Sequence, residues 1–308
     1  MNYAVIDLGS NSIRLSIYNC DDQQIARIFT KKEIAGLIGY VADGQLDTAG
    51  IQRACEILAD FKEDAVKFVD PANIHLFATA SLRDIGNQEE VINAVLEKTA
   101  LRTDVLTGDE EAELDFVGVS HFLGCEDGIM IDIGGASTEL VLFKERKAVD
   151  MISLPIGCLN LSIDYVKEII PDDDERKKIK AIIKEQFSKV NWAKGVQYPL
   201  MVGVGGTARA ALKLSHALFA PSMEENSMDA LHIKEINRLL KNRKNNIYRT
   251  LYKHTPERLL TISTGLAILQ QTIKTFGCET IVVSKYGLRE GYLVKRVLDA
   301  NCVRDADG

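Results

Sequence analysis

Apolar and polar positions switch between two periods along the chain, and the switches mark its elements. Residues 3–8 (YAVIDL) are a short apolar run interrupted by Asp7, followed by a Gly/Ser/Asn turn and a second apolar-rich stretch. That pattern predicts strand, tight turn, strand. A further strand is expected at 24–34. A helix is expected from Asp47 or Thr48 to Phe68, where Ile51, Ala54, Cys55, Leu58, Phe61, Ala65 and Phe68 share one face. A strand at 74–78, a helix near 88–99, a strand at 104–106 and a helix from Gly108 follow. Downstream, strands are expected at 128–132, 138–144, 148–153, 199–204 and 279–283. Helices are expected near 158–168, 173–190, 206–216, 232–243 and 257–275, with a closing helix around 288–299. Strands alternating with helices indicate an α/β protein.

One segment occurs twice. YAVIDLGSNSIRL at 3–15 returns as GIMIDIGGASTEL at 128–140, aligning Asp7 with Asp132, Gly9 with Gly134, Ser12 with Ser137 and Leu15 with Leu140 at a constant offset of 125. An offset without slippage points to two copies of one supersecondary unit. The turn-rich Gly124–Gly128 directly precedes the second copy and is the expected linker. Domains are therefore expected at 1–123, joined by the closing segment 295–308, and at 124–294.

Composition narrows the class. The 308 residues are 46% hydrophobic and 26% charged, which excludes disorder and collagen-like structure. No apolar run approaches the ~20 residues of a spanning helix, and Asp7 breaks any leader-like apolar stretch, so a cytoplasmic protein is expected. A net charge of −7 argues against nucleic-acid and anionic-membrane partners, while leaving room for a locally positive site. The six cysteines are scattered without a CxxC pair, and reduced thiols are expected. The five histidines, His121 among them, show no metal-ligand spacing.

A Gly/Ser/Asn turn after a buried strand can aim several N–H groups at one anion. Two matched turns, Gly9–Ser10–Asn11–Ser12 and Gly134–Gly135–Ala136–Ser137, could hold two neighbouring phosphates, although a lone Gly-Ser turn is often only a hairpin. Asp7 and Asp132 are costly at strand ends unless paired or metal-bound, and carboxylates beside phosphates suit Mg²⁺. In TGDEEA (107–112), Thr107 and Glu110 form a capping-box pattern. Glu110 thus has a structural task, and Glu111 is left over. Lys241–Asn242–Arg243–Lys244 reads as a solvated helix end, with a polyanion track as the alternative.

Together IDLGSNSIRL, ATASLRD, TGDEEA, IDIGGASTEL, LPIG, VGVGGTARA and YGLREGYL, in this order from residue 3 to residue 293, resemble the exopolyphosphatase/guanosine pentaphosphate phosphohydrolase family of the actin-like ATPase superfamily. The resemblance implies two actin-like (ribonuclease H-like) α/β domains with mixed sheets and an interdomain cleft. It implies hydrolysis of the terminal phosphoanhydride of inorganic polyphosphate or guanosine pentaphosphate with Mg²⁺. Glu111 would be the catalytic base, and Asp7, Asp132 and Glu139 would serve the metal. Gly9, Ser10, Asn11, Ser12, Arg83, Gly134, Gly135 and Ser137 would contact phosphate, with Gly205, Gly206 and Thr207 as a further contact at a helix N-terminus. Arg83 could instead pair with Asp84 or another acid, and the glycine turn at 203–207 could simply pack strand against helix. Ala136 stands where the family commonly has glycine. Cys158 and Asn160 stand where an arginine is often found, leaving one basic contact open. A phosphotransferase and a non-enzymatic alarmone sensor are the rival functions, and a homodimer is left open.

Overall fold

The computed structural model describes residues 1–21, 24–120, 124–219, 224–242 and 245–299. His121, Arg243, Lys244, Cys302 and the end of the expected closing segment lie outside them. By its internal contacts the chain divides into two units, Met1–Glu111 and Ala112–Gly308.

The first unit contains β1 (Asn2–Leu8), β2 (Ser12–Cys20), β3 (Ile25–Ile34), a small hairpin of β4 (Val41–Ala42) and β5 (Gln45–Leu46), α1 (Thr48–Ala65), β6 (Ile74–Ala78), α2 (Ala80–Arg83), α3 (Gln88–Thr99), β7 (Thr103–Val105) and the start of α4 (Gly108–Ser120). Its main sheet has the order β3-β2-β1-β6-β7. Strands β1 to β3 run antiparallel, and β1, β6 and β7 run parallel. Helix α1 begins where the Asp47 carboxylate accepts from the Gly50 N–H at 2.7 Å, an N-cap. The expected face of α1 is buried in the core of this unit. The helix ends at Ala65, short of Phe68, and by Asp70, which precedes Pro71, the backbone is extended. Phe68 stacks on Phe29 of β3 instead, with ring centroids 5.5 Å apart.

The second unit contains the rest of α4, then β8 (Gly128–Ile133), β9 (Thr138–Lys144), β10 (Lys147–Leu154), α5 (Cys158–Tyr165), α6 (Asp173–Ser188), β11 (Leu200–Val204), α7 (Gly205–Leu218), β12 (Ser227–Asp229), α8 (Ala230–Lys241), α9 (Asn245–His254), α10 (Ile262–Phe276), β13 (Thr280–Val283) and α11 (Leu288–Tyr292), which continues as a π-helical segment over Leu293–Leu298. The sheet order is β10-β9-β8-β11-β13-β12. Its first five strands reproduce the first unit's sheet, antiparallel from β8 to β10 and parallel across β8, β11 and β13.

The repeat extends to register. Leu8 faces Ile13 and Asp7 faces Arg14; 125 residues later, Ile133 faces Thr138 and Asp132 faces Glu139. The internal repeat is therefore a repeated three-dimensional unit.

Three of the departures from the sequence expectation have a plain physical reason. Helix α9 was not anticipated, because only Ile247 and Leu251 carry its buried face within a basic and polar run. Strand β12 is three residues long, too short to show a period. The helix expected over 257–275 starts at Ile262, after a separate 3-10 turn at Pro256–Arg258 opened by the proline. Among the described residues no helix is long and apolar enough to cross a membrane. The five described cysteines are free thiols.

Candidate active site

The two repeat turns are held from behind in the same way. In the first unit the carbonyls of Ser10 and Asn11 accept from Ile38 at 3.1 Å and Gly36 at 2.9 Å. In the second, Gly134 O accepts from Cys158 N at 2.9 Å, and Gly135 O accepts from Leu159 N at 2.8 Å and Asn160 N at 3.1 Å. Among the described residues the N–H groups of Ser10, Asn11, Gly135 and Ala136 meet no backbone carbonyl. Each turn is thus a rigid loop whose N–H groups are available to an anion. Ser81, in the segment after β6, donates to Leu8 O and ties α2 to the end of β1.

Asn160 has a task that the sequence did not reveal. Its Oδ1 accepts from Gly157 N at 2.8 Å while its Nδ2 donates to Ala136 O at 3.0 Å. It clasps the second turn. Gly157 makes the closest approach: a Cβ there would lie 2.3 Å from the carbonyl carbon and oxygen of Gly135.

The start of α4 resolves the roles of its adjacent acids. Glu110 Oε2 accepts from Thr107 N at 2.9 Å and Thr107 Oγ1 at 3.0 Å, and Thr107 Oγ1 accepts from Glu110 N at 3.2 Å. This is the expected capping box. Glu110→Ala should cost about 1 kcal/mol of stability, read from the urea midpoint, because a cap and its reciprocal bond are lost together. Glu111 is 8% exposed, and its Oε2 accepts from Arg83 Nη1 at 2.9 Å. Arg83 Nη1 also donates to Leu106 O at 3.3 Å, and its Nε lies 3.6 Å from Asp84. Of the two acids, the distant Glu111 is the closer partner. Glu111 is therefore a nearly buried carboxylate oriented by a guanidinium and not consumed by the helix cap.

In the second unit, Asp132 and Glu139 are direct register partners on β8 and β9. Glu139 is 1% exposed, and its Oε1 accepts from Ser153 Oγ at 2.8 Å. Two facing carboxylates, one oriented from behind, are oxygen donors suited to a hard dication. Among the described residues no group of three or more metal-ligating side chains is assembled. In the first unit, Asp7 faces Arg14 at the corresponding position.

Gly205 opens α7 with φ +75, and a Cβ there would lie 2.1 Å from Asp132 Oδ1, so only glycine lets that carboxylate lie on the helix start. Arg258 lies closer still against Gly206, where a Cβ would meet its Nη2 at 1.7 Å, and it reaches Cys158 Sγ at 3.9 Å. Thr207 is 1% exposed, and its hydroxyl donates to Ile133 O at 3.0 Å. Burial pulls the Arg209 guanidinium below its ordinary value; Arg289 and Arg258 push the same way, while Asp132 and Glu290 oppose them. Arg258 and Arg289 therefore both lie near Arg209, as do Asp132 and Glu290, so three arginines share this part of the second unit. Sequence reasoning missed all three. Arg209 and Arg289 lay inside quoted motifs without a distinguishing feature, and Arg258 follows a Pro-Glu pair that carries no signal.

Two α/β units with one repeated strand order, each ending its first hairpin in an N–H-lined turn, define a phosphate-handling protein of the actin-like ATPase fold. The chain belongs to the Ppx/GppA phosphatase family, whose model matches residues 16–300. It is 28% identical over 300 residues to a guanosine-5'-triphosphate,3'-diphosphate pyrophosphatase of Photobacterium profundum, covering 94% of this chain and 58% of that protein. It is 30% identical over 297 residues to a bifunctional 3-dehydroquinate synthase/phosphatase of Fusobacterium nucleatum, covering 92% and 44%. The chain thus spans about half the length of these curated relatives. The crystal structure of the Aquifex aeolicus Ppx/GppA family member matches with a TM-score of 0.80 at 28% identity, covering 98% of this chain and 99% of that one. A Cytophaga hutchinsonii exopolyphosphatase shares the fold, with a TM-score of 0.82 at 21% identity, covering 97% and 98%.

Proposed function

We propose that this chain hydrolyses the terminal phosphoanhydride of inorganic polyphosphate, and of guanosine pentaphosphate as a second substrate, releasing orthophosphate. The observation that carries the reading is Glu111, a nearly buried carboxylate held by Arg83 while its neighbour Glu110 serves the helix cap. Glu111 accepts the proton of a water attacking the terminal phosphorus; the P–O bond to the leaving chain breaks and its oxygen carries the electron pair away. The Gly9–Ser12 and Gly134–Ser137 turns supply N–H donors to phosphate oxygens. Arg209, with Arg258 and Arg289 near it, offsets negative charge that develops in the transition state. The guanosine pentaphosphate arm rests on relatives named as pyrophosphatases of that nucleotide.

Asp132 and Glu139 would hold Mg²⁺, which would neutralise phosphate charge when bound. Asp132→Asn and Glu139→Gln should each raise the Mg²⁺ concentration for half-maximal activity by roughly 10–100-fold, the range seen when groups of a metal site are altered. Unchanged metal dependence in both variants would remove them from that role. The reading as a whole is tested by phosphate release from short polyphosphate, long polyphosphate and guanosine pentaphosphate, assayed side by side with Mg²⁺. Tight guanosine tetraphosphate binding with no release from any substrate would favour a sensor. Phosphoryl transfer to an acceptor would favour a kinase-type relative.

A further inference from the structure

Helices α6, α8 and α10 of the second unit border a hollow of about 440 Å³, which adjoins a second of about 540 Å³ through shared walls at Lys234 and Gln270. On α10 the contributing positions are Ser263, Ala267, Gln270, Ile273 and Lys274, at the i, i+3/i+4 spacing of one helix face. Cations dominate the rim of a protein whose net charge is −7. Some are neutralised locally: Lys177 pairs with Asp174 at 2.8 Å, Arg238 with Glu235 at 2.8 Å and Lys241 with Asp173 at 3.6 Å. Lys180, Lys234 and Lys274 have no acidic partner among the described residues, and all three are exposed. Burial lowers the Lys274 ammonium from its ordinary value, and Lys180, Lys184 and Lys234 lower it further. Lys180 and Lys234 line the same hollow, and both lie close enough to Lys274 to act on its charge.

A second, independent feature lies in the wall of the hollow. Ser263 is 4% exposed and its Oγ has no hydrogen-bond partner among the described residues. A buried hydroxyl without a partner is costly unless something else supplies one. An anion drawn in by the lysines would do so.

We propose that this groove is a second anion site, which takes a run of linked phosphates from a polyphosphate chain. Repelling ammonium groups gain most from a ligand with closely spaced negative charges, and the lone Ser263 hydroxyl gains an oxygen acceptor. No aromatic side chain lines the 440 Å³ hollow, so a base-bearing polyanion finds no stacking platform there. Bare phosphates need none. The choice of polyphosphate rests on the substrate reading above, and the groove, which includes Lys241, would supply a polyanion track of the kind weighed as the alternative to a solvated helix end.

The test is binding of long polyphosphate to the whole chain without Mg²⁺, titrated against salt. Lys180→Ala/Lys234→Ala should weaken binding on the order of tenfold at low salt. It should also make the slope of log affinity against log salt shallower by about 1.4, two contacts at about 0.7 each for a flexible strand. Lys147→Ala/Lys194→Ala, which removes equal charge elsewhere on this unit, should leave affinity unchanged. Unchanged binding in the first variant, or equal loss in both, would overturn the proposal. So would an RNA oligonucleotide bound as tightly through the same lysines. If the binding results hold and no phosphate is released, the hydrolase reading fails while the groove stands.

Discussion

Glu111→Gln should lower kcat by about 10²–10⁴-fold while leaving polyphosphate affinity close to that of the unaltered chain. The amide keeps the size of the side chain and can still accept from Arg83 Nη1, which lies 2.9 Å from Oε2. What it loses is the capacity to take a proton. The loss should therefore fall on the chemical step. Single-turnover phosphate release, with binding measured separately, distinguishes the two. A variant that keeps full turnover, with Glu110→Gln inactive in its place, would mean that the capping acid is the base. The bonds from Thr107 to Glu110 argue against that exchange, because the carboxylate that accepts them is committed to the helix start.

Gly157→Ala should damage the protein by a different route. The new Cβ would stand 2.3 Å from the Gly135 carbonyl and 2.5 Å from Ala136 N, both backbone atoms. Neither side can yield freely. The turn is bonded to Cys158, Leu159 and Asn160 at the start of α5, and Asn160 grips Ala136 O. Overpacking of this kind costs about 1–3 kcal/mol, and relief must come by displacing the Gly134–Ser137 turn. The urea midpoint should fall, and KM for polyphosphate should rise together with it. A destabilised variant with an unaltered KM would show that the second turn does not bind phosphate.

The parts of this structure legible in the sequence are those fixed by local chemistry. The 125-residue offset gave the shared register of Asp7 with Arg14 and of Asp132 with Glu139, because strand pairing across a tight turn is set by the turn itself. The capping box was legible for the same reason, since Thr107 and Glu110 are three residues apart. Long-range pairings were not. Asp84, the sequence neighbour, was the named acid for Arg83, yet Glu111 lies closer from 28 positions away. Nothing in the sequence marks Asn160 as the amide that bridges Gly157 and Ala136. The neighbouring Arg209, Arg258 and Arg289 come from three separate segments, and no spacing rule links residues 209, 258 and 289. Helix α9 was hidden because two buried residues carry its apolar face.

The most direct measurement is hydrolysis of tripolyphosphate in H₂¹⁸O with Mg²⁺, with mass analysis of both products. Attack of water on the terminal phosphorus places one ¹⁸O in the released orthophosphate and none in the remaining pyrophosphate. That distribution is the expected result, and Glu111→Gln should slow its appearance. Label found in the pyrophosphate would mean attack on the inner phosphorus, and no labelled product beside a phosphorylated acceptor would mean transfer rather than hydrolysis; either would contradict water attack at the chain end directed by Glu111.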